Sequence, residues 1–362
     1  MKFLIRKNTW LFLLMIFFFV ATFGQENNQN SLIGPVSDTV ETLDFFDTDE
    51  PLELTLKYDI TSFVKQKHKG EYLDAVLIIY SGENDSIVKN IRLKARGNFR
   101  RGHCFFPPIY LNFKTDPIEH GELEGIKKIK LVTHCSNSKA YQAYVLKEYL
   151  AYKMYNLLTD YSFRVKLLKI NYIDTGKKQR NYVHQGFLIE PIELIEKRTN
   201  SIEVDGKMIS GLTVMNPEMD RVSMFEYMIA NTDWRVKGGH NMKYLKSLEW
   251  VTTKVIPVPY DFDYSGMVNA SYAIPQEWTS IKEVTQREYL GYCRDDEDAY
   301  LQAVEPFLQN KDDIFMIIED CQYLSEREKK GLRSFIEGFY DEVEDSRGVL
   351  HSLKRQCRDI TF

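Results

Sequence analysis

Paired cysteines of the C-x-x-C kind are absent. The five cysteines (Cys104, Cys135, Cys293, Cys321 and Cys357) stand far apart in sequence, which excludes a thiolate zinc site of the usual spacing. Positive charge is not in excess either. With 47 Lys and Arg against 52 Asp and Glu, the net charge is −5, a balance opposed to nonspecific nucleic-acid binding through phosphate neutralisation. Beyond the first twenty residues no apolar run approaches the length that spans a bilayer. Internal repeats and low-complexity tracts are missing as well. What remains is globular. A hydrophobic content of 44% and a charged content of 27% over 362 residues supply a sizeable core, in two domains or one large two-lobed one. The 22 Tyr and 22 Phe enrich core and grooves without naming a ligand.

The first 24 residues read as a signal sequence. Lys2, Arg6 and Lys7 precede an unbroken apolar stretch from Trp10 to Val20, and Ala21, Thr22 and Gly24 offer small residues for cleavage. An uncleaved anchor helix is the competing reading, but the stretch is short for a span. No cysteine sits there to carry a lipid. The expectation is an exported chain (periplasm, cell surface or extracellular) with no stable membrane span once the signal is removed. In that compartment five cysteines permit up to two disulfides with one thiol left over, and Cys104 with Cys135 is the first pairing expected. Residues 25–50 are polar and acidic and read as a flexible leader.

From residue 51 the pattern alternates. Leu52, Leu54 and Leu56 mark a half-buried strand, and 75–80 (AVLIIY) and 86–95 continue a meander across the turn chemistry of 81–85. Residues 109–114 and 126–132 are further strands, each with a lysine near its end. A helix is expected over 138–159, followed by strands at 163–172 and 182–189. Beyond Glu196 the composition turns helical, with helices expected at 220–230, 295–308, 311–324 and 325–343. The plan is α+β and two-lobed: a β-rich N-lobe over 51–190 with one long helix, and a mainly helical C-lobe over 191–362.

The chemistry concentrates in residues 231–266. There Asp233 is followed by a Gly-rich loop, Asn241, a probable-hairpin pattern and the unit Asp261-Phe262-Asp263 at the mouth of an apolar strand. Asp and Asn singly are common turn residues. An acid at the mouth of a buried strand is costly unless paired or metal-bound. Hard divalent cations take oxygen ligands, and phosphoryl transfer needs such ligands plus a carboxylate for the attacking hydroxyl. Asp233 fits the catalytic acid, and Asn241, Asp261 and Asp263 the metal ligands. Phosphate-facing cations would come from Arg96, Lys114 or Lys130, with Glu148 orienting one of them, although strand-end lysines are usually solvated. Arg100, Arg101 and His103 crowd beside Arg96 in a like-charged patch that calls for an anion.

These residues resemble the CotH-like atypical kinases, related to the spore-coat kinase CotH and closest to exported Bacteroidetes-type members. The resemblance is carried by RLKARGN (92–98), IKLV (129–132), the helix AYVLKEYLAYKMY (143–155), GFLIEPIELIEKR (186–198), the loop NTDW…HNMKYL and PVPYDFDYSG. It implies a protein-kinase-like fold that transfers phosphate from ATP, with Mg²⁺ or Mn²⁺, to protein Ser/Thr or a cell-envelope acceptor. It also implies Asp233 as catalytic acid, Asp261 as main metal ligand and Asn241 as the second. Glu190 would lie at the nucleotide pocket, and Lys114 or Lys130 would meet phosphates. Three features differ from the pattern: the Asp233-to-Asn241 step is longer than the D-x-x-x-x-N of kinases, Pro-Tyr-Asp replaces Pro-Trp-Asp, and no Gly-rich phosphate loop is present. The altered spacing and the missing loop favour the alternative of a catalytically inactive, kinase-like envelope binding or structural protein. A hydrolase using Asp261 and Asp263 as a carboxylate pair is a distant third.

Overall fold

The protein is described by a computed structural model over residues 45–80 and 86–360. The expected signal sequence and most of the expected leader lie outside these residues. Chain order begins β1 (Leu52–Tyr58), α1 (Ile60–Gln66), β2 (Leu73–Tyr80), β3 (Ser86–Ala95) and the short α2 (Phe99–His103). It continues β4 (Ile109–Asn112), β5 (Lys128–Val132), the long α3 (Lys139–Asn156), β6 (Val165–Asp174) and β7 (Tyr182–Ile189). Then follow α4 (Ile192–Arg198), β8 (Ser201–Val204), α5 (Asn216–Met228), β9 (Met242–Ser247) and β10 (Ile256–Pro259). Four helices complete the described chain: α6 (Glu297–Gln309), α7 (Lys311–Glu319), α8 (Glu326–Val343) and α9 (Ser346–Gln356).

Seven strands close into a barrel in the order β1-β2-β3-β4-β5-β7-β6, and β10-β9-β8 form a small separate sheet. Neighbours in the barrel are antiparallel except at the seam. There β1 runs parallel to β6, from Leu52 against Leu168 to Tyr58 against Asp174. Alternation does what the pleat demands: Leu54, Leu56, Leu77, Ile91, Leu93, Leu111, Ile129 and Ile170 share one buried cluster. Val132, Leu167, Phe187 and Ile189 of the same barrel belong to a second cluster, which continues through Tyr152 of α3 and Phe225 of α5 to Phe307 and Phe339 in the C-terminal helices.

This overturns the expected two-lobed protein-kinase-like fold. The sheet has no open edge at the β1–β6 seam, and one face of the barrel shares its core with the helices instead of standing as a separate N-lobe. The physical reason lies in β6 and β7, buried on both faces over much of their length, which lets them pack inward on the barrel and outward on α3 at once.

Other differences are local. The end of the expected leader is anchored: Phe45 and Phe46 are buried, Asp47 pairs with Arg164, Asp49 pairs with Lys153, and Thr48 accepts from Lys166 Nζ at 2.6 Å. α5 starts earlier than residue 220, with Pro217 in its first turn, and Asp220 is buried against Arg294 rather than capping. No described helix is long and apolar enough to cross a membrane.

Two disulfides are formed, Cys104–Cys135 as expected and Cys293–Cys357, and Cys321 is a buried thiol. The first closes a 31-residue separation and ties the end of α2 to the segment after β5. Replacing both Cys104 and Cys135 by Ser should cost about 3–4 kcal/mol, the loop-closure entropy returned to the unfolded chain. Denaturant titration of wild type against the double variant checks this, and equal midpoints would contradict it.

Candidate active site

The loop after α5 is built around Asp233. Ala230 ends the helix at φ 51°, and Asn231 turns the chain. Its N–H donates to the Glu226 carbonyl at 2.8 Å, its Nδ2 to Glu226 Oε2 at 2.9 Å, and its Oδ1 accepts the Asp233 N–H at 3.0 Å. Arg235 and His240 then exchange two backbone hydrogen bonds of 3.1 Å, closing a turn whose Gly238 and Gly239 sit at φ 84° and 66°, a region open to glycine. The closed turn absorbs the extra residues of the Asp233-to-Asn241 step and returns His240 and Asn241 to the acid. Asn241 Nδ2 donates to the Asp233 carbonyl at 2.7 Å and to Oδ2 at 3.0 Å. Asp233 Oδ1 meets His240 Nε2 at 2.8 Å and Gln276 Nε2 at 2.9 Å. The hydrogen bond to Asp233 raises the His240 pKa above its ordinary value, against the pull of partial burial.

The second acidic unit follows β10. Tyr260 N–H donates to the Asn241 carbonyl at 3.1 Å, and Asp261 then takes a left-handed φ of 69°. That conformation is uncommon outside glycine, and Asp is among the residues that tolerate it. Its N–H donates to Tyr152 Oη of α3 at 2.8 Å. Phe262 is wedged between the rings of Tyr152 and Phe225, at centroid distances of 4.6 and 5.3 Å, so the turn is clamped by packing. Asp263 is buried and accepts from Tyr272 Oη at 2.9 Å.

Glu148 reaches the same place from mid-α3. Carboxylate oxygens of Glu148, Asp261 and Asp263 all lie within 4.8 Å of one another. Into this cluster α2 inserts Arg100, which donates to Glu148 Oε2 at 3.0 Å and to the Thr133 carbonyl at 3.0 Å, and stands 3.7 Å from Asp263 Oδ2. Burial, only partly offset by Arg100, holds Glu148 and Asp263 well above the ordinary carboxylate range; Asp263 and Asp261 add to the upward shift of Glu148, and Asp261 to that of Asp263. Asp233 contributes to the shift on Asp263, so the catalytic-acid candidate and the cluster share one electrostatic field.

The cation candidates divide. Lys130 lies over the Tyr260 ring at 4.7 Å. Burial, then Arg96 and Lys243, lower it to about 7 despite the opposing pull of Asp261. Arg96 also acts on Glu148 and Tyr152, which puts it on the same side of the cluster. Lys114 is exposed after β4 and does not join them. Glu190, expected at a nucleotide pocket, is buried with both oxygens held by Arg198 at 3.0 Å, and it accepts the Arg164 N–H at 2.9 Å. It fastens the β7–α4 crossover. Asn241 spends its amide N–H groups on Asp233, and Glu148 faces the two Asp side chains rather than a lysine.

Four contributors carry no local signal in the sequence: Tyr152, Tyr272, Gln276 and Glu226. Arg100 did carry one, as part of a basic patch lacking an anion. Its partners Glu148 and Asp263 come from distant elements.

No family model matches the chain, and no curated protein matches it. Among solved structures the chain is similar to the crystal structure of a Helicobacter pylori proinflammatory kinase CtkA. The identity is 13% and the TM-score 0.39, over 71% of this chain and 94% of that one. This is a distant structural likeness to a kinase.

Glu226 gives the site a pH signature. It is fully buried, its Oε1 has no hydrogen-bond partner, and burial is the main cause that raises its pKa from 4.5 to about 8. The folded state therefore keeps a proton that the unfolded chain releases, and stability linked to this group is greatest in acid. It falls as pH rises from 4.5 to about 8 and is level above that range. Glu226→Gln mimics the protonated form. The variant should match wild type near pH 4.5 and exceed it in alkali by on the order of 4 kcal/mol. Chemical denaturation across that range reads the difference, and parallel curves for the two proteins would count against it.

Proposed function

We propose that the chain is a metal-dependent phosphotransferase of the CotH-like kind, moving a phosphoryl group from a nucleoside triphosphate, ATP in the first instance, to a hydroxyl acceptor. The observation that carries this reading is the meeting of Glu148, Asp261 and Asp263 within 4.8 Å, in the field of a half-buried Asp233 held by three side-chain donors. The donor set fits a hard divalent cation. It is all oxygen, it is short of countercharge, and the buried Glu148 Oε1 has no hydrogen-bond partner. Glu148, Asp261 and Asp263 would hold Mg²⁺ or Mn²⁺, which in such sites neutralises charge on the transferring phosphoryl group.

The remaining work falls to the chain's own groups. Asp233 accepts the proton of the acceptor hydroxyl as its oxygen bonds to the γ-phosphorus. The bond from that phosphorus to the β–γ bridging oxygen breaks, and nucleoside diphosphate leaves. His240, Gln276 and Asn241 fix the orientation of the carboxylate, the pre-positioning on which proton transfer depends. Arg96 and Lys130 face the cluster as phosphate partners. Lys130 is held near neutrality by its surroundings, and an arriving phosphate would restore its charge. The N-terminal signal pattern supports an exported enzyme acting on protein or envelope hydroxyls.

A second reading has its own observation. The Arg100 guanidinium already sits on Glu148 and beside Asp263, as a resident cation would in an inactive binding protein. The two readings separate in one set of measurements. For an enzyme, ATP with Mn²⁺ raises the melting temperature of wild type but not of Asp261→Asn, and Asp233→Asn lowers phosphoryl transfer by about 10²–10⁴-fold while still binding nucleotide. Binding without transfer or hydrolysis selects the inactive protein. Absence of any metal-dependent nucleotide binding sinks the enzyme, and phosphoryl transfer that is lost in the Asp233 variant sinks the inactive protein.

A further inference from the structure

Where the chain leaves Asp233 through Trp234, Arg235 and Val236, it forms a small cavity of about 130 Å³ that the proposed phosphate chemistry does not use. Its walls are Trp234, Val236, Trp278, Leu290 and Tyr292, with Arg235 and Arg358 also lining it. Two of these walls are tied to the acid. Trp234 is its neighbour in sequence and is fixed by donation from Nε1 to the Asn231 carbonyl at 3.2 Å. Trp278 follows by two residues Gln276, whose amide donates to Asp233 Oδ1 at 2.9 Å. The far side is rigid. Cys293 N–H donates to the Arg358 carbonyl at 2.9 Å, Arg358 N–H to the Gly291 carbonyl at 2.8 Å, and the Cys293–Cys357 disulfide closes across them.

Size and lining decide what fits. Pockets for whole small-molecule ligands run to about 300–1,000 Å³, so a nucleotide is excluded. The volume suits one medium or large side chain, at roughly four water volumes. The walls are mostly aromatic and aliphatic, so the hydroxyls of a sugar ring would go largely unpartnered there, at the cost of their desolvation. An apolar side chain loses nothing. The rim carries Arg235, and Lys237 lies two residues on; both are exposed. In a chain of net charge −5 that is a local positive patch complementary to acid.

We infer that this cavity is an acceptor subsite: it takes one aromatic or aliphatic side chain of a polypeptide whose Ser or Thr hydroxyl lies against Asp233, with an acidic residue of the same segment meeting Arg235 and Lys237. The inference rests on the phosphotransferase reading and adds to it a peptide acceptor of defined local sequence. The rigid walls mean the subsite is formed before the acceptor arrives, which lowers the ordering cost of binding.

The test uses the purified chain, γ-labelled ATP, Mn²⁺ and a Ser/Thr peptide library randomised at the positions flanking the hydroxyl. The expected result is enrichment of Trp, Phe or Leu at one flanking position by on the order of tenfold over Gly, with Asp or Glu favoured nearby. Leu290→Trp, which fills the cavity, should flatten the apolar preference. Trp278→Ala, at an exposed wall, does the same if the filled variant does not fold, and Arg235→Glu should reverse the acidic preference. The readout is the ratio between peptides within one variant, so a change in overall rate does not enter. Transfer without flanking preference, a preference untouched by these variants, or labelling of envelope polysaccharide but of no peptide would each overturn the subsite. ATP hydrolysis with no peptide labelled also removes the subsite and leaves the phosphotransferase reading standing. A chain that neither binds nor turns over nucleotide removes that reading and the subsite together.

Discussion

Three carboxylates share one poorly hydrated space, and most of the neighbouring structure serves to keep them there. At an effective dielectric constant near 20, like charges at such spacing repel by about 3 kcal/mol or more per pair. Left to themselves the acids would take up protons or part. The tendency to take up a proton shows in the upward pKa shifts of Glu148 and Asp263, which burial causes first and neighbouring acids increase. Separation is prevented by packing: Phe262 is pinned between Tyr152 and Phe225, and Asp261 is tied through its backbone to the Tyr152 hydroxyl. Among the described residues Arg100 is the buried cation paired with these acids, and a disulfide directly follows its short helix. The cluster is thus held by forces other than its own electrostatics, as a site meant to receive charge must be.

The barrel explains why this arrangement is stiff. α3 carries Glu148 and Tyr152, and its buried face lies in the same core as Val132 and Phe187 of the barrel and Phe225 of α5. Two separate lobes would let the helix move with one of them. Here the seam between β1 and β6 closes the sheet, and β6 and β7 are buried on both faces over much of their length. The geometry of the acids is therefore set by the main core of the molecule.

Local features were legible in the sequence, and those that depend on distant partners were not. Alternation located β1 and β3, an apolar β-branched run located β2, the turn between β6 and β7 marked both, and the helical stripe located α3 within three residues at either end. Asp233, Asp261 and Asp263 could be picked out because each sits at a turn or strand mouth, where an acid needs a reason. Barrel closure was not legible, since it depends on a parallel pairing of Leu52 with Leu168 that no short window contains. The fate of Glu190 turned on Arg198, one helix further on, and that of Lys114 on where β4 ends. The burial of Phe45 and Phe46 was not legible in that acidic stretch because the core they enter is assembled from later strands.

Asp233 stands at the boundary between two environments, and its ligands make the division physical. On one side Asn241 and the left-handed turn at Asp261 connect it to acids, to Arg96 and to Lys130, where phosphate charge would be balanced. On the other, Gln276 and Trp234 connect it to an apolar cavity too small for a nucleotide. Under the proposed chemistry this carboxylate takes a proton from one partner while another partner carries several negative charges, which requires that the two be kept apart. Here the separation is achieved by the side chain itself: Oδ2 is engaged by Asn241 and Oδ1 by Gln276 and His240. Rotation of the carboxyl would break all three bonds at once. An acid meant only to cap a turn needs none of them, and this surplus of orientation is the strongest structural sign that Asp233 acts on something outside the chain.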